Sequence, residues 1–305
     1  MSAAPYEVAQ TSLLGNRSTN QDRSAIVRAK EHVMIAVADG MGGHPRGEVA
    51  AEIFVDTYRR AFNHATKPIA DLPGFFSRVL QQAHREIVEY GIRQNPPIAP
   101  RTTGVVCVVQ AGVARWLHVG DSRLYVFRAG QVLIQTEDHS YVQELCGSGL
   151  LAAGQANEHP FRNFVTRCVG GAEKQPEPTI SETQRLEPGD VLLLCTDGLW
   201  SVLEREPLSG ALSDPVPLPS AVSNMVHRAE AASFPNSDNV TAAALRWLAP
   251  RSMAQTDPTE AAAKAAVGTR KNGAVDEAIH QLNSAMQELE TGLQRLRQTN
   301  KSPQR

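Results

Sequence analysis

The stretch VADGMGGHPRG, residues 37–47, closes an apolar run that starts at Val33 and ends in a single carboxylate, Asp39. Gly40, Gly42, Gly43 and Gly47 follow at once. A core strand therefore hands one carboxylate to a flexible turn. Small residues in such a turn let main-chain carbonyls approach a cation, so the pattern suits a metal site. Taken alone, the same letters also describe an ordinary loop with Asp as a turn former. The other acidic positions decide between the two.

Working outward, residues 6–14 and 24–38 carry β-favouring runs separated by the polar GNRSTNQDR, which predicts strands joined by turns. From Glu48 the apolar positions Ile53, Phe54, Tyr58, Ala61 and Phe62 recur at helical spacing, and Leu80, Ala83, Ile87 and Tyr90 do so again before Pro96 and Pro97. Short β-rich runs then cover 102–110, 114–119, 124–127 and 132–134, punctuated by Gly112, Gly120 and Gly130, as in an antiparallel meander. A polar, irregular segment at 146–162 predicts a surface flap beside a short helix. Two strands, 179–186 and 190–196, flank the turn EPGD; helices follow over 204–212 and 219–232, and a last strand covers 239–247. Strands on both sides of helices, with hairpins among them, predict an α+β fold with antiparallel sheets.

The 305 residues are 42% hydrophobic, enough for a substantial core. A formal net charge of -2 gives no electrostatic reason for nucleic acid or an anionic membrane as partner. The N-terminus has neither a basic n-region nor an apolar h-region, and no apolar run approaches a membrane span, so a cytoplasmic protein is expected. Cys107, Cys146, Cys168 and Cys195 show no CxxC spacing, and two of them sit inside the apolar runs VVCVV and LLLCT. They are expected to be reduced core thiols.

Asp39 is one of several acidic residues placed alike. Asp197 ends VLLLCT and precedes Gly198, Asp121 follows Val119 and Gly120, Asp238 stands just before the last strand, and Asp22 before the second. Carboxylates gathered at one end of a sheet pair repel one another unless cations neutralise them. Hard divalent ions with oxygen ligands are the natural occupants, and Mg2+ or Mn2+ is favoured because no His or Cys cluster has zinc spacing.

In order, the chain holds R-x-x-N-x-D (17–22), DGMGGH (39–44), TTG (102–104), GDSR (120–123), DHS (138–140), TDGLW (196–200) and DNVT (238–241). This set resembles the protein phosphatase 2C family, the metal-dependent serine/threonine protein phosphatases, and its bacterial members in particular. The resemblance spans about residues 6–248. It implies a four-layer α-β-β-α sandwich with two central antiparallel sheets, and a phosphatase domain over 1–249. It further implies hydrolysis of phosphoserine and phosphothreonine by a water that two Mn2+ or Mg2+ ions activate. By the same resemblance Asp39 bridges the ions, the Gly40 carbonyl binds one of them, and Asp197 with Asp238 completes the other. Asp121 joins Asp197 at a third, weaker ion; Asp22 orients water; and Arg17 grips the substrate phosphate. The implied partners are phosphorylated proteins, with a Ser/Thr kinase or its targets among them.

Three positions depart from the family pattern. Met41 stands where many relatives have a histidine proposed as general acid, leaving His44 and a water as candidates. Gln21 replaces a common Glu, and Ser201 follows Trp200 where an acid is frequent. No CX5R signature supports a cysteine nucleophile, and Pro45 breaks a GxGxxG frame. The rival reading is a pseudophosphatase that binds or scaffolds.

Beyond Pro250 the composition turns poor in large apolar residues, which predicts a linker over 250–273. Val275, Ile279, Leu282, Met286, Leu289, Leu293 and Leu296 then alternate in steps of 4 and 3, a heptad seam that predicts a helix over 274–299. Such a helix either packs back on the domain or forms a coiled coil with a second copy or a partner.

Overall fold

The computed structural model describes residues 5–248, apart from 43, 153, 156–158, 172–174, 204–211 and 213–215. The expected linker, the heptad helix at 274–299 and most of the expected helix at 204–212 lie outside the described residues.

Two antiparallel sheets carry the fold. The first has strand order β1-β13-β12-β7-β8, built from β1 (Tyr6–Leu13), β13 (Val240–Trp247), β12 (Val191–Cys195), β7 (Arg123–Arg128) and β8 (Gln131–Gln135). The second has β10-β6-β5-β3-β2, from β10 (Thr179–Ile180), β6 (Val113–Val119), β5 (Gly104–Gln110), β3 (His32–Asp39) and β2 (Asp22–Ala29), with β11 (Gln184–Arg185) also on β6. A small ladder pairs β4 (Arg101–Thr102) with β9 (Val169–Gly170).

Side-chain alternation explains the layers. In β3, Met34, Ala36 and Ala38 face Phe54, Tyr58 and Phe62 of α1 (Gly47–His64) and Phe76, Leu80 and Ile87 of α2 (Leu72–Ile92). The alternate residues Val33, Ile35 and Val37 meet Leu124, Leu192 and Leu245 of the first sheet. That is why β3 has no polar residue between Val33 and Ala38: both of its faces are buried. The outer face of the first sheet, with Leu193 and Ala244, packs on Leu199 of α4 (Asp197–Leu203) and on Val222 and Met225 of α5 (Leu218–Ser233). Helices thus cover both sheets, in the order helix, sheet, sheet, helix.

Most expected elements form where the pattern places them, and two differ. The run at 179–186 is not one strand. Ile180 pairs with Leu117 and Gln184 with Ala114, so four residue steps on one side oppose three on the other. Such an extra residue is accommodated by a bulge, and Ser181 fills the break by accepting the Trp116 N–H on its hydroxyl at 2.9 Å. The second difference is α4, which starts at Asp197 itself, ahead of the helix expected at 204–212. The flap expected at 146–162 follows a short helix, α3 (Tyr141–Gly147), and exposes Leu150 and Phe161.

Candidate active site

Strand register brings the acidic residues to one end of the sheet pair. Asp22 opens β2 directly opposite Asp39 at the close of β3. Partners in an antiparallel pair point to the same face, so both carboxylates share one side of their sheet. Asp197 follows β12 and Asp238 precedes β13, two neighbours that run antiparallel, with the Thr196 N–H donating to the Thr241 carbonyl at 3.1 Å. Asp121 follows β6 after Gly120, whose φ of +94° turns the chain sharply.

The cluster is recessed and charged against itself. Asp22 is 3% exposed; its Oδ2 accepts the Thr196 hydroxyl at 2.9 Å, and its Oδ1 has no hydrogen-bond partner. Burial pushes its pKa to about 7, helped by repulsion from Asp197 and Asp238. Asp39 is raised well above the carboxylate range by burial and by Asp22, Asp197, Asp121 and Asp238. Asp121 is raised likewise by burial, then by Asp197 and Asp138. Asp197 is raised to about 6 by burial and Asp238, against a hydrogen bond with Asp39 that lowers it. Asp39 and Asp197 thus act on each other electrostatically, and a cation beside both would relieve the repulsion that raises Asp39.

The main chain around them is equally constrained. Asp39 offers its carbonyl to the Thr103 N–H at 2.9 Å and to the Thr102 hydroxyl at 2.7 Å. Gly40 packs on Gly47 so tightly that a Cβ there would sit 2.3 Å from the Gly47 carbonyl. Gly198 is pressed on Asn239, whose carbonyl would lie 2.1 Å from a Cβ. These glycines serve close approach of backbones. The Gln21 side chain lies against Gly42 and Gly47, while its main-chain N–H donates to Asn239 Oδ1 at 2.8 Å and its main-chain carbonyl accepts the Gly40 N–H at 3.1 Å. Gln21 therefore braces the glycine loop.

Arg17 and Asp238 stand at the exposed mouth, paired at 2.7 Å, with side chains 55% and 40% exposed. His44 is not brought to the carboxylates by any described contact. Burial and the Arg101 charge lower its pKa, and its main-chain N–H donates to the Met41 carbonyl at 3.0 Å. Pattern reading missed the supporting residues: Trp200, which donates to the Asp121 carbonyl at 2.9 Å, Arg123, which lies 3.5 Å over the Trp200 ring, and Asn239. Each lies inside one of the quoted motifs, TDGLW, GDSR and DNVT, but the letters alone assign it no contact.

The donor set tests the fit of a metal. Among the described residues no group of three or more His, Cys, Asp or Glu side chains forms a metal-holding cage. A hydrated hard cation needs less, since Mg2+ keeps several waters and takes one or two carboxylates. The close Asp39 and Asp197 pair, the orphaned Asp22 Oδ1 and an all-oxygen environment fit such an ion.

The sequence profile of the protein phosphatase 2C family matches residues 9–249. The chain belongs to that family. Protein phosphatase PhpP of Streptococcus pneumoniae is 30% identical over 230 residues, covering 74% of this chain and 91% of that protein. The Streptococcus agalactiae serine/threonine phosphatase superposes with a TM-score of 0.72 at 27% identity, over 79% of this chain and 99% of that one. The catalytic domain of the serine/threonine protein phosphatase PstP, solved with two manganese ions, gives a TM-score of 0.67 at 25% identity, over 80% and 99%. This protein phosphatase 2C family member has Asp39, Asp121, Asp197 and Asp238 in the sequence motifs that carry its resemblance to the family. The scaffold-only reading has no support.

Proposed function

We infer that this chain hydrolyses phosphoserine and phosphothreonine in proteins with Mn2+ or Mg2+, and so opposes Ser/Thr kinase signalling. The observation that carries this reading is the recessed carboxylate cluster of Asp22, Asp39, Asp121 and Asp197 on a protein phosphatase 2C fold. Asp39, Asp197, Asp238 and the Gly40 carbonyl are the proposed ligands of two ions, with Asp121 and Asp197 at a third. Bound ions supply the charge that activates water and offsets the phosphoryl oxygens in an in-line displacement. Asp22, with one free buried oxygen, accepts a proton or a hydrogen bond from that water. Arg17 exchanges its contact with Asp238 for a fork on the phosphate, a stronger charge-assisted pair when planar and bidentate. His44 is proposed to shield or protonate the leaving oxygen, with support from its loop position alone.

The catalytic unit is assigned to 1–249, with 250–273 as a tether and 274–299 as a helix that pairs with a second copy or a partner helix. Among the described residues no helix is long and apolar enough to cross a membrane. The four cysteines are free, which suits a reducing cytoplasm.

Purified protein with Mn2+ is expected to turn over a phosphothreonine peptide, and chelator to abolish it. Asp39→Asn should lower kcat by at least about a thousandfold, and His44→Gln by about tenfold at most. Turnover in Asp39→Asn equal to wild type would refute the metal reading.

A further inference from the structure

Trp200 lies one helical turn beyond Asp197 on α4, and its indole N–H donates to the main-chain carbonyl of Asp121 at 2.9 Å. One short helix therefore carries both the Asp197 carboxylate and the group that grips the Asp121 backbone. The indole is itself held in place. The Arg123 guanidinium lies 3.5 Å from the ring centroid, in cation–π contact. Its Nε and Nη2 donate to the two oxygens of Asp138, each at 2.8 Å, and its Nη1 donates to the Tyr125 hydroxyl at 3.0 Å. The Arg123 and Asp138 side chains are only 8% and 12% exposed, so the fork is shielded from water. From the other side, Gly120 exchanges two hydrogen bonds with His139, its N–H to Nδ1 at 3.1 Å and its carbonyl with the His139 N–H at 3.0 Å.

We propose that Trp200, oriented by Arg123 and Asp138, is a positioning residue that sets the separation of Asp121 from Asp197 and thereby the affinity of the divalent-cation site those two share. The proposal rests on the reading of Asp121 and Asp197 as ligands. It differs from a plain packing role in one respect. Removing the indole N–H while keeping an aromatic ring should change ion binding more than it changes folding.

The experiment follows Mn2+ binding by the spin-resonance signal of the free ion, with Mn2+-dependent turnover measured in parallel. The proteins are wild type, Trp200→Phe, Asp121→Asn and the double variant. Phe keeps a face for Arg123 and loses the donor. Trp200→Phe is expected to weaken the Asp121-dependent class of sites about five- to tenfold, the worth of one hydrogen bond, and to leave the tighter class unchanged. The double variant should bind no more weakly than Asp121→Asn alone. An unchanged isotherm for Trp200→Phe, or additive losses in the double variant, overturns the proposal. If Trp200→Phe proves unstable without Mn2+, Asp138→Asn keeps the indole and weakens the fork that orients it. The same class should then loosen by a smaller factor, and lowered stability with an intact isotherm overturns the proposal. Identical isotherms for wild type and Asp121→Asn would instead remove the ligand assignment, and the proposal with it, whereas an unchanged Trp200→Phe beside an altered Asp121→Asn removes only the proposal.

Discussion

His139 ties chemistry to stability through a single ring. It is 7% exposed, stacks on His118 with centroids 4.6 Å apart, accepts the Gly120 N–H on Nδ1, and so donates from Nε2 to the Thr179 hydroxyl at 2.9 Å. Both ring nitrogens are used by the neutral form, and a second proton would break the Gly120 bond. Burial, His118 and Arg167 lower its pKa to about 3. A histidine whose folded pKa is depressed stabilises the fold above the unfolded pKa of about 6.5, and that stability is lost as pH falls toward the folded value. The raised carboxyls of Asp22 and Asp197 act with the opposite sign, since the folded chain binds their protons more readily between pH 4 and their values of about 7 and 6. A comparison within one scaffold isolates the histidine. From pH 7 to pH 5 wild type should lose about 2 kcal/mol relative to His139→Gln, measured by urea unfolding in chelator. A constant difference between the two proteins would show that His139 is not held neutral.

The turn that carries the chain from β11 on the second sheet to β12 on the first illustrates how a turn signal becomes an energetic device. EPGD is legible as a turn from Pro188 and Gly189, but its closure depends on Asp190. That side chain is 1% exposed; Oδ2 accepts the Glu187 N–H at 2.8 Å, and Arg128 of β7 reaches both of its oxygens at 2.9 and 2.8 Å. Asp190→Ala leaves the half-buried Glu187 N–H without its acceptor and strips the two-pronged contact from Arg128, which keeps Glu187 at 3.0 Å and the Arg185 carbonyl at 3.3 Å. It should cost about 2 kcal/mol, seen as a lower denaturant midpoint at constant m-value, with Mn2+-dependent kcat retained. The strands on either side were readable because runs of alternating or continuous apolar residues fix burial locally. The split between β10 and β11 was not, because a bulge on an edge is chosen by the fit to β6, where the Ser181 hydroxyl takes the Trp116 N–H. The start of α4 was hidden for a related reason. Its Asp and Gly are poor helix formers, and the helix is held by Leu199 packing on the first sheet.

For the chain as a unit, deletion of 250–305 should leave metal-dependent turnover within about twofold of wild type, because every proposed site residue lies in 1–249. Light scattering of the full and shortened proteins tests the association assigned to 274–299, and equal protomer counts would count against it. The ordered acidic motifs, the apolar run of β3 and the helical spacing of α1 and α2 were enough to predict an α+β fold with antiparallel sheets and to single out the strand-end carboxylates as candidates. Each of these depends on residue type and local period, which a linear chain displays. Only the tertiary structure decided that Asp22 faces Asp39 across one strand pair, that Asp197 and Asp238 add their charge to that pair, and that Arg17 is drawn to Asp238. It also decided the chain of contacts from Asp138 through Arg123 and Trp200 to the Asp121 carbonyl. The physical reason is that these contacts join residues from 15 to more than 200 positions apart, and which of them meet is set by strand register and helix packing, to which no local pattern is sensitive.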